Sequence, residues 1–316
     1  LEHLHVLLEL VSVVAGRALV VAQVCLDPQR VLTQPALVRM ARLEAVVDRI
    51  GVEDPGHIPV HQIARSAGFE LVPLPVDEHG ITPAGLEAAL TKGLAAIVVT
   101  PRAHNPTGAA FTAERAQTLT NLLARHPATA LIQDDHAGLV AGVDYHPLAP
   151  PGPRWATMRS LGKSFGPDVR VALVVGDEQT IHRVSVGLSN GPGWVSFILQ
   201  RAAAFLLEDP ATTELLTETA ASYARRRNLL IDALADYGVQ ASGASGLNVW
   251  IPTSQEQPAI AAARSAGYAI RSGTPYQIVP KQAVRVTITN LSDAHIAEIA
   301  KAIGTSHRSQ PFAASM

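Results

Sequence analysis

Lysine is scarce in this chain: among 25 basic residues only Lys92, Lys163, Lys281 and Lys301 are lysines, so each can be questioned singly. Lys163 follows a run that reads as a strand, in Ser160-Leu-Gly-Lys163-Ser-Phe-Gly-Pro167-Asp-Val-Arg170. Two more such runs end in polar clusters, Pro101-Arg-Ala-His-Asn-Pro-Thr-Gly108 and Asp134-Asp135-His136. A lysine amine forms a Schiff base with an aldehyde, and does so best when burial or a nearby cation lowers its pKa from about 10.4. A carboxylate opposite a pyridine nitrogen keeps that nitrogen protonated and makes the ring an electron sink. An arginine and a hydroxyl beside a strand-to-helix turn hold a phosphate. An amide, two carboxylates, an amine and a guanidinium on one sheet edge therefore suit a pyridine-ring cofactor.

Plainer readings exist for each member. Lys163 fits a surface lysine, although its place after a strand argues otherwise. A phosphate-binding P-loop at Gly162-Lys163-Ser164 needs a glycine where Thr157 stands, which removes that option. Asn105-Pro-Thr-Gly108 has the composition of an ordinary turn. Of Asp134 and Asp135, one reads as a cap or turn residue and Asp134 as the partner of the nitrogen. His136 fits a loop histidine as well as a cofactor contact. His57 and His61 are four apart, but Pro59 lies between them and no third ligand is evident, so no metal is expected. Arg285 fits a strand residue in an ion pair.

Certain elements must position these groups. Ala41–Ile50 reads as a helix, Gly51–Gly56 as a strand entering a turn, and Ile58–Ala67 as a helix closed by Gly68. Phe69–Val76 reads as a strand. Thr82-Pro83 opens a helix, with Thr as N-cap and Pro in the first turn. Ala95–Thr100 reads as a buried parallel strand. Thr112 caps a helix with Glu114 in its first turn and Ala116, Leu119, Leu122 and Leu123 on one face. Thr129–Gln133, Thr157–Leu161 and Arg170–Gly176 are further strands. Strands alternating with helices imply a mostly parallel sheet, where ligands bind beyond the carboxyl ends of the strands. Past residue 205 the pattern changes. A long helix over Thr212–Tyr237 stops at Gly238. It is followed by strands at Leu247–Ile251, Tyr268–Arg271 and Val284–Thr289 and helices at Ala259–Ala266 and Ser292–Ile303.

His104-Asn105-Pro-Thr-Gly108, Asp134-Asp135 and the Ser160–Arg170 segment resemble the fold-type-I, pyridoxal-phosphate-dependent aminotransferases of classes I and II. With Glu53-Asp-Pro-Gly-His57 and Asp134-Asp135-His136 added, they resemble more closely the aminotransferase-like domain of MocR-type regulators of the GntR family. The likeness is greatest to its PtsJ-like subgroup, which is linked to vitamin B6 control. The likeness covers about residues 51–305. It implies an α/β fold with a mostly parallel seven-stranded sheet and a smaller C-terminal α+β domain. It also implies pyridoxal 5'-phosphate as cofactor. Lys163 then carries the Schiff base, and Asp134 pairs with the pyridine nitrogen. Asn105 and His136 contact the ring hydroxyl, His57 stacks on the ring, and Ser160 and Arg170 hold the phosphate. Arg285 grips a substrate carboxylate. The chain departs from the pattern at Gly162, where a serine is usual, and at His57 and His136, which replace aromatic residues. Residues 1–50 lack the usual Gly-Ala loop and helix.

Two functions follow from the resemblance: amino-group transfer between an amino acid and a keto acid, or a pyridoxal-phosphate-sensing domain separated from its DNA-binding module. A third reading is a fragment that binds nothing. The expected organisation is an atypical segment (1–50), a large cofactor-binding domain (51–205), a small domain (206–305) and a tail (306–316). A homodimer is expected, with a small amino-acid or vitamin B6 ligand and no direct DNA contact by this chain. No winged-helix sequence is recognised in it. Hydrophobic residues make up 47% and charged residues 16%, which supports a buried core and excludes wholesale disorder. A net charge of −2 gives no nucleic-acid footprint, and the single Cys25 excludes a disulfide framework. Leu4–Leu26 is apolar, but Glu9, Arg17 and Gln23 argue against a membrane span. The cytoplasm is the default compartment.

Overall fold

The computed structural model describes residues 18–22, 48–189 and 193–308. In chain order its elements are β1 (Ala18–Ala22), β2 (Arg49–Asp54), α1 (Ile58–Ser66), β3 (Glu70–Asp77), β4 (Gly80–Ile81), α2 (Pro83–Leu90) and β5 (Leu94–Val99). Then come α3 (Ala113–Leu123), β6 (Ala130–Asp134), β7 (Trp155–Ser160), β8 (Ala172–Gly176), α4 (Glu178–Ser189), α5 (Phe197–Glu208) and α6 (Pro210–Ala235). The chain closes with β9 (Asn248–Pro252), α7 (Glu256–Ser265), β10 (Arg271–Ser272), β11 (Ala283–Thr287) and α8 (Asp293–Arg308).

The large sheet runs β1-β8-β7-β6-β5-β2-β3-β4, with the two-residue β4 at one edge beside seven longer strands. Strands β3, β2, β5, β6 and β7 are mutually parallel, while β8 runs antiparallel to β7. The parallel strands β2, β5, β6 and β7 thus all finish on the edge where β8 begins. That topology brings the segments after Asp54, Val99, Asp134 and Ser160 together with the one before Ala172.

Alternation along each strand separates two apolar layers, as a two-residue side-chain period demands. Ile50, Val52, Ala96, Val98, Ile132, Met158 and Val174 pack with Val60 and Ala64 of α1 and Ile181, Val184 and Leu188 of α4. Val72, Leu74, Ile97, Val99, Leu131 and Val175 pack with Leu86 and Leu90 of α2 and Leu119 and Leu123 of α3. Helices α2 and α3 start where their caps sit: Thr82 Oγ1 accepts from Gly85 N at 3.2 Å, and Thr112 Oγ1 from Arg115 N at 3.1 Å. The second sheet, β10-β11-β9, is antiparallel and packs its apolar residues with those of α6, α7 and α8.

Several expectations are corrected. Arg49 and Ile50, read as the end of a helix, belong to β2, where they pair with Glu70 and Leu71 of β3, and Asp48 before them is not helical; residues 41–47 lie outside the described residues. Of Leu4–Leu26 only Ala18–Ala22 is described, as a strand paired with β8. The strand expected at Tyr268–Arg271 shrinks to β10, because Tyr268 closes the α7 turn by bonding to Ala263 O. Helix α8 runs on to Arg308, so Ser306–Arg308 is helical and not tail; residues 309–316 lie outside the described residues. Helices α4 and α5 were not anticipated. Among the described residues no helix is long and apolar enough to cross a membrane.

Candidate functional site

Asp134 is the last residue of β6 and is 5% exposed. Its Oδ1 has no hydrogen-bond partner. Burial, then the charges of Asp135 and Glu53, push its carboxyl up to about 7. Its neighbour Asp135 has the opposite surroundings. Arg102 donates to it from Nε at 2.9 Å and Nη2 at 3.1 Å, and Arg159 from Nε at 2.8 Å. Burial opposes ionisation there, but the Arg102 and Arg159 hydrogen bonds and charges hold the Asp135 carboxyl below the usual range. Both guanidinium groups also lie over the Tyr145 ring, at 5.0 and 5.4 Å. The two adjacent carboxylates therefore differ: Asp135 is not the cap or turn residue expected of one of them but is buried and held by two arginines, and Asp134 is left with an open acceptor.

The turn after β2 supplies His57, the N-cap residue of α1; Pro59 is tolerated in that helix because it falls in the first turn. The turn after β5 supplies Asn105. Asn105 Nδ2 lies 3.0 Å from His57 Nδ1, and Arg285 Nη1 donates to Asn105 Oδ1 at 2.8 Å. The His57 ring is parallel to that of His136, 6.2 Å away at 7°. His136 Nδ1 stands 3.9 Å from Asp134 Oδ2. Burial first, then Coulomb repulsion, lowers both imidazoles: His57 to about 3, with His136 and Lys163 contributing, and His136 to about 4, with Lys163 contributing. His61 turns inward to the Glu53 carbonyl, 2.9 Å away.

Lys163 follows β7. Its side chain keeps solvent access, yet partial burial and then the Arg285 charge lower its amine from the ordinary lysine value. Arg285, on β11, is brought to the site across the register of the second sheet and lies over Tyr276, 5.2 Å from the ring centroid. Nearby in sequence, Ser164 Oγ and Arg170 Nη2 are buried without hydrogen-bond partners, as is Arg285 Nε. Ser160 Oγ accepts from Gly162 N at 3.4 Å. The expected residues thus lie on one edge, and four of their neighbouring polar atoms lack partners: one carboxylate oxygen, one hydroxyl and two guanidinium nitrogens. Buried polar groups are mostly paired; Tyr145 Oη, Arg154 Nη1, Arg226 Nε and Gln277 Nε2 also lack partners, so what marks these four is their place around the candidate site, where they suit a ligand with a cationic N–H, an anionic group that accepts from Ser164 and Arg170, and a carboxylate for Arg285.

Supporting residues escaped the sequence reading. Glu53 is buried, accepts from Thr100 N and Oγ1 at 2.8 Å each, and meets His104 Nε2 at 3.1 Å. Ser245, far along the chain, accepts from Ala103 N at 2.7 Å and donates to Gly108 O at 3.1 Å, which ties the Asn105 turn to the C-terminal part. Gly108 has φ 68°, and a Cβ there would stand 2.7 Å from Asn248 O, so no other residue fits that turn. Arg102 and Arg159 were visible as basic residues but not as partners of Asp135, since they come from 33 and 24 residues away.

Comparison with known proteins adds the following. Residues 36–303 match the family model "Aminotransferase class I and II". The chain is 38% identical over 257 residues to the vitamin B6 salvage pathway transcriptional repressor PtsJ of Salmonella typhimurium, covering 80% of this chain and 60% of that protein. The chain therefore spans about 60% of the length of that relative. In structure it is similar to kynurenine aminotransferase from Pyrococcus horikoshii, with a TM-score of 0.83 and 17% identity, covering 98% of this chain and 80% of the other. It is also similar to a variant of aspartate aminotransferase from Thermus thermophilus, with a TM-score of 0.78 and 22% identity, covering 91% and 79%.

Proposed function

The chain belongs to the aminotransferase class I and II family, and on that premise we propose that its strand-end edge holds pyridoxal 5'-phosphate through Lys163 and binds a small amino compound carrying a carboxylate. The observation that carries this is the buried Asp134 carboxylate, with its Oδ1 unpartnered, on the edge that also presents Lys163. The residues present fit the cofactor: Asp134 would pair with the pyridine nitrogen, Ser160, Ser164 and Arg170 would take the phosphate, His57 would stack on the ring, and Asn105 and His136 would serve its hydroxyl. When bound, the cofactor supplies an aldehyde that captures amines and a protonated ring that draws electrons from the captured carbon.

The protein's own groups do the rest. Partial burial leaves more of the Lys163 amine in its neutral, nucleophilic form. With the cofactor and an amino ligand bound, Lys163 Nζ would be the base for the proton on the ligand's α-carbon. Asp134, with its buried Oδ1 unpartnered, would hold a proton on the cofactor's ring nitrogen. Asp135, clamped by Arg102 and Arg159, keeps the end of β6 in place. Arg285 orients the ligand through its carboxylate with the Nε–H that the fold leaves free.

A second reading shares the site. The likeness to a repressor, together with imidazoles at His57 and His136 in place of phenols, favours a sensor that binds the cofactor without turnover and acts on DNA through another domain. Mixing the protein with pyridoxal phosphate and a panel of amino acids separates the two. A new near-visible absorbance band with keto-acid release supports transfer, and a band without release supports sensing. No band, with wild type and Lys163→Ala alike, contradicts both. We propose that the cofactor-binding domain spans about 51–205 together with β1 and the start of β2, which join its sheet, and the rest of α5, that the smaller one follows to 305, and that the protein is a cytoplasmic homodimer. The apolar stripe Trp194, Phe197, Ile198 and Phe205, each 68–80% exposed, supports the dimer.

A further inference from the structure

Three side chains from three distant segments form a chain of hydrogen bonds: Arg285 Nη1 to Asn105 Oδ1 at 2.8 Å, and Asn105 Nδ2 to His57 Nδ1 at 3.0 Å. An amide and an imidazole are each ambiguous alone, since either can be turned over without a change of shape. The arginine removes the ambiguity. A guanidinium has five donors and no acceptor, so the atom facing it must be the amide oxygen. The amide nitrogen then faces His57 and can only donate. The imidazole nitrogen that receives it must carry a lone pair and no proton.

We propose that Arg285 and Asn105 form a one-way relay that fixes the proton of His57 on Nε2 and couples the His57 ring to whatever Arg285 holds. His57 is then a positioning residue: it presents a neutral ring, with its N–H on the side away from Asn105, parallel to His136. Burial favours that neutral ring, and the nearby His136, Lys163, His104 and His61 disfavour a second proton on it. The Nε–H of Arg285 is buried and has no partner, so a carboxylate that reaches it would be gripped while Nη1 stays on Asn105, and would polarise the relay without breaking it. That use of the relay rests on the proposed role of Arg285 as the carboxylate grip; the fixed tautomer rests on the three side chains alone.

The test is the imidazole nitrogen spectrum of the full chain, with isotope-labelled histidine and no cofactor added. His57 is assigned as the signal that His57→Phe removes. The expected result is an unprotonated Nδ1 and a protonated Nε2. Asn105→Asp replaces the donor with a second acceptor, so Nδ1 must gain a proton. Arg285→Met touches nothing on His57, yet frees the amide to turn, and is expected to move the Nδ1 shift toward an averaged value. Unchanged signals from the other histidines serve as the control that each variant is folded, and the Arg285→Met measurement stands if Asn105→Asp does not fold. A protonated Nδ1 in the wild type, or a wild-type pattern retained in a folded Arg285→Met, overturns the relay. Because no cofactor is present, either result is independent of whether Lys163 captures an aldehyde, which the absorbance assay decides.

Discussion

Asp134 carries a conflict that a ligand resolves. Its carboxyl is raised from 3.8 to about 7, so the folded chain holds a proton there that the unfolded chain releases. Stability from this group is complete below pH 4 and is lost as pH rises toward 7, by on the order of 4 kcal/mol for a shift of about three units. Asp134→Asn is expected to stabilise the cofactor-free protein in urea unfolding at pH 8 by up to that amount, with the gain shrinking toward pH 4, and to weaken cofactor retention. His57 and His136 act in the other direction. Their lowered values, about 3 and about 4, mean that the unfolded chain takes up protons first, so stability falls as pH drops below 6.5. Arg285→Met is expected to weaken a carboxylate ligand about 10- to 100-fold in a binding titration, the worth of a charged hydrogen bond. The position of Asp134 after a strand was legible in sequence. The assignment of Asp135 to structure was not, because its two arginines reach it only through the folded sheet.

At the scale of elements, local signals were readable where the chemistry is local. Thr82, Thr112, Gly68 and Gly238 mark ends that caps and positive-φ glycines enforce, with φ 84° at Gly68 and 76° at Gly238. Thr112→Ala is expected to cost about 1 kcal/mol. Helix α5 was missed because its exposed residues include Phe197, Ile198 and Phe205, which blur a two-faced pattern. The first helix after β2 was placed correctly, whereas the start of β2 was not, since Arg49 is recognisable as strand only through its partner Glu70. Ser245 shows the same limit for the site: its link to the Asn105 turn spans 142 residues. Ser245→Ala leaves the buried Ala103 N–H unpaired, and is expected to cost about 1–3 kcal/mol in thermal or urea unfolding and to loosen cofactor binding.

The molecule as a whole sets one sheet edge against a second, antiparallel sheet that delivers Arg285, and Asp54 fastens the two parts by accepting from Ile278 N and Val279 N at 2.8 and 3.0 Å. If the stripe on α5 joins two copies, Ile198→Asp is expected to shift sedimentation from dimer to monomer, and an unchanged dimer would place the interface elsewhere. The fold and its strand-end edge were legible from alternating strands and helices; the meeting of β11 with that edge was legible only through the family resemblance that singled out Arg285, because nothing local in Val284–Thr289 records it. The central measurement is the intact mass of the chain after incubation with pyridoxal phosphate and borohydride, followed by peptide mapping. A single adduct on Lys163, absent from Lys163→Ala, is the expected result. An adduct spread over Lys92, Lys281 and Lys301, or equal in the two proteins, contradicts the account.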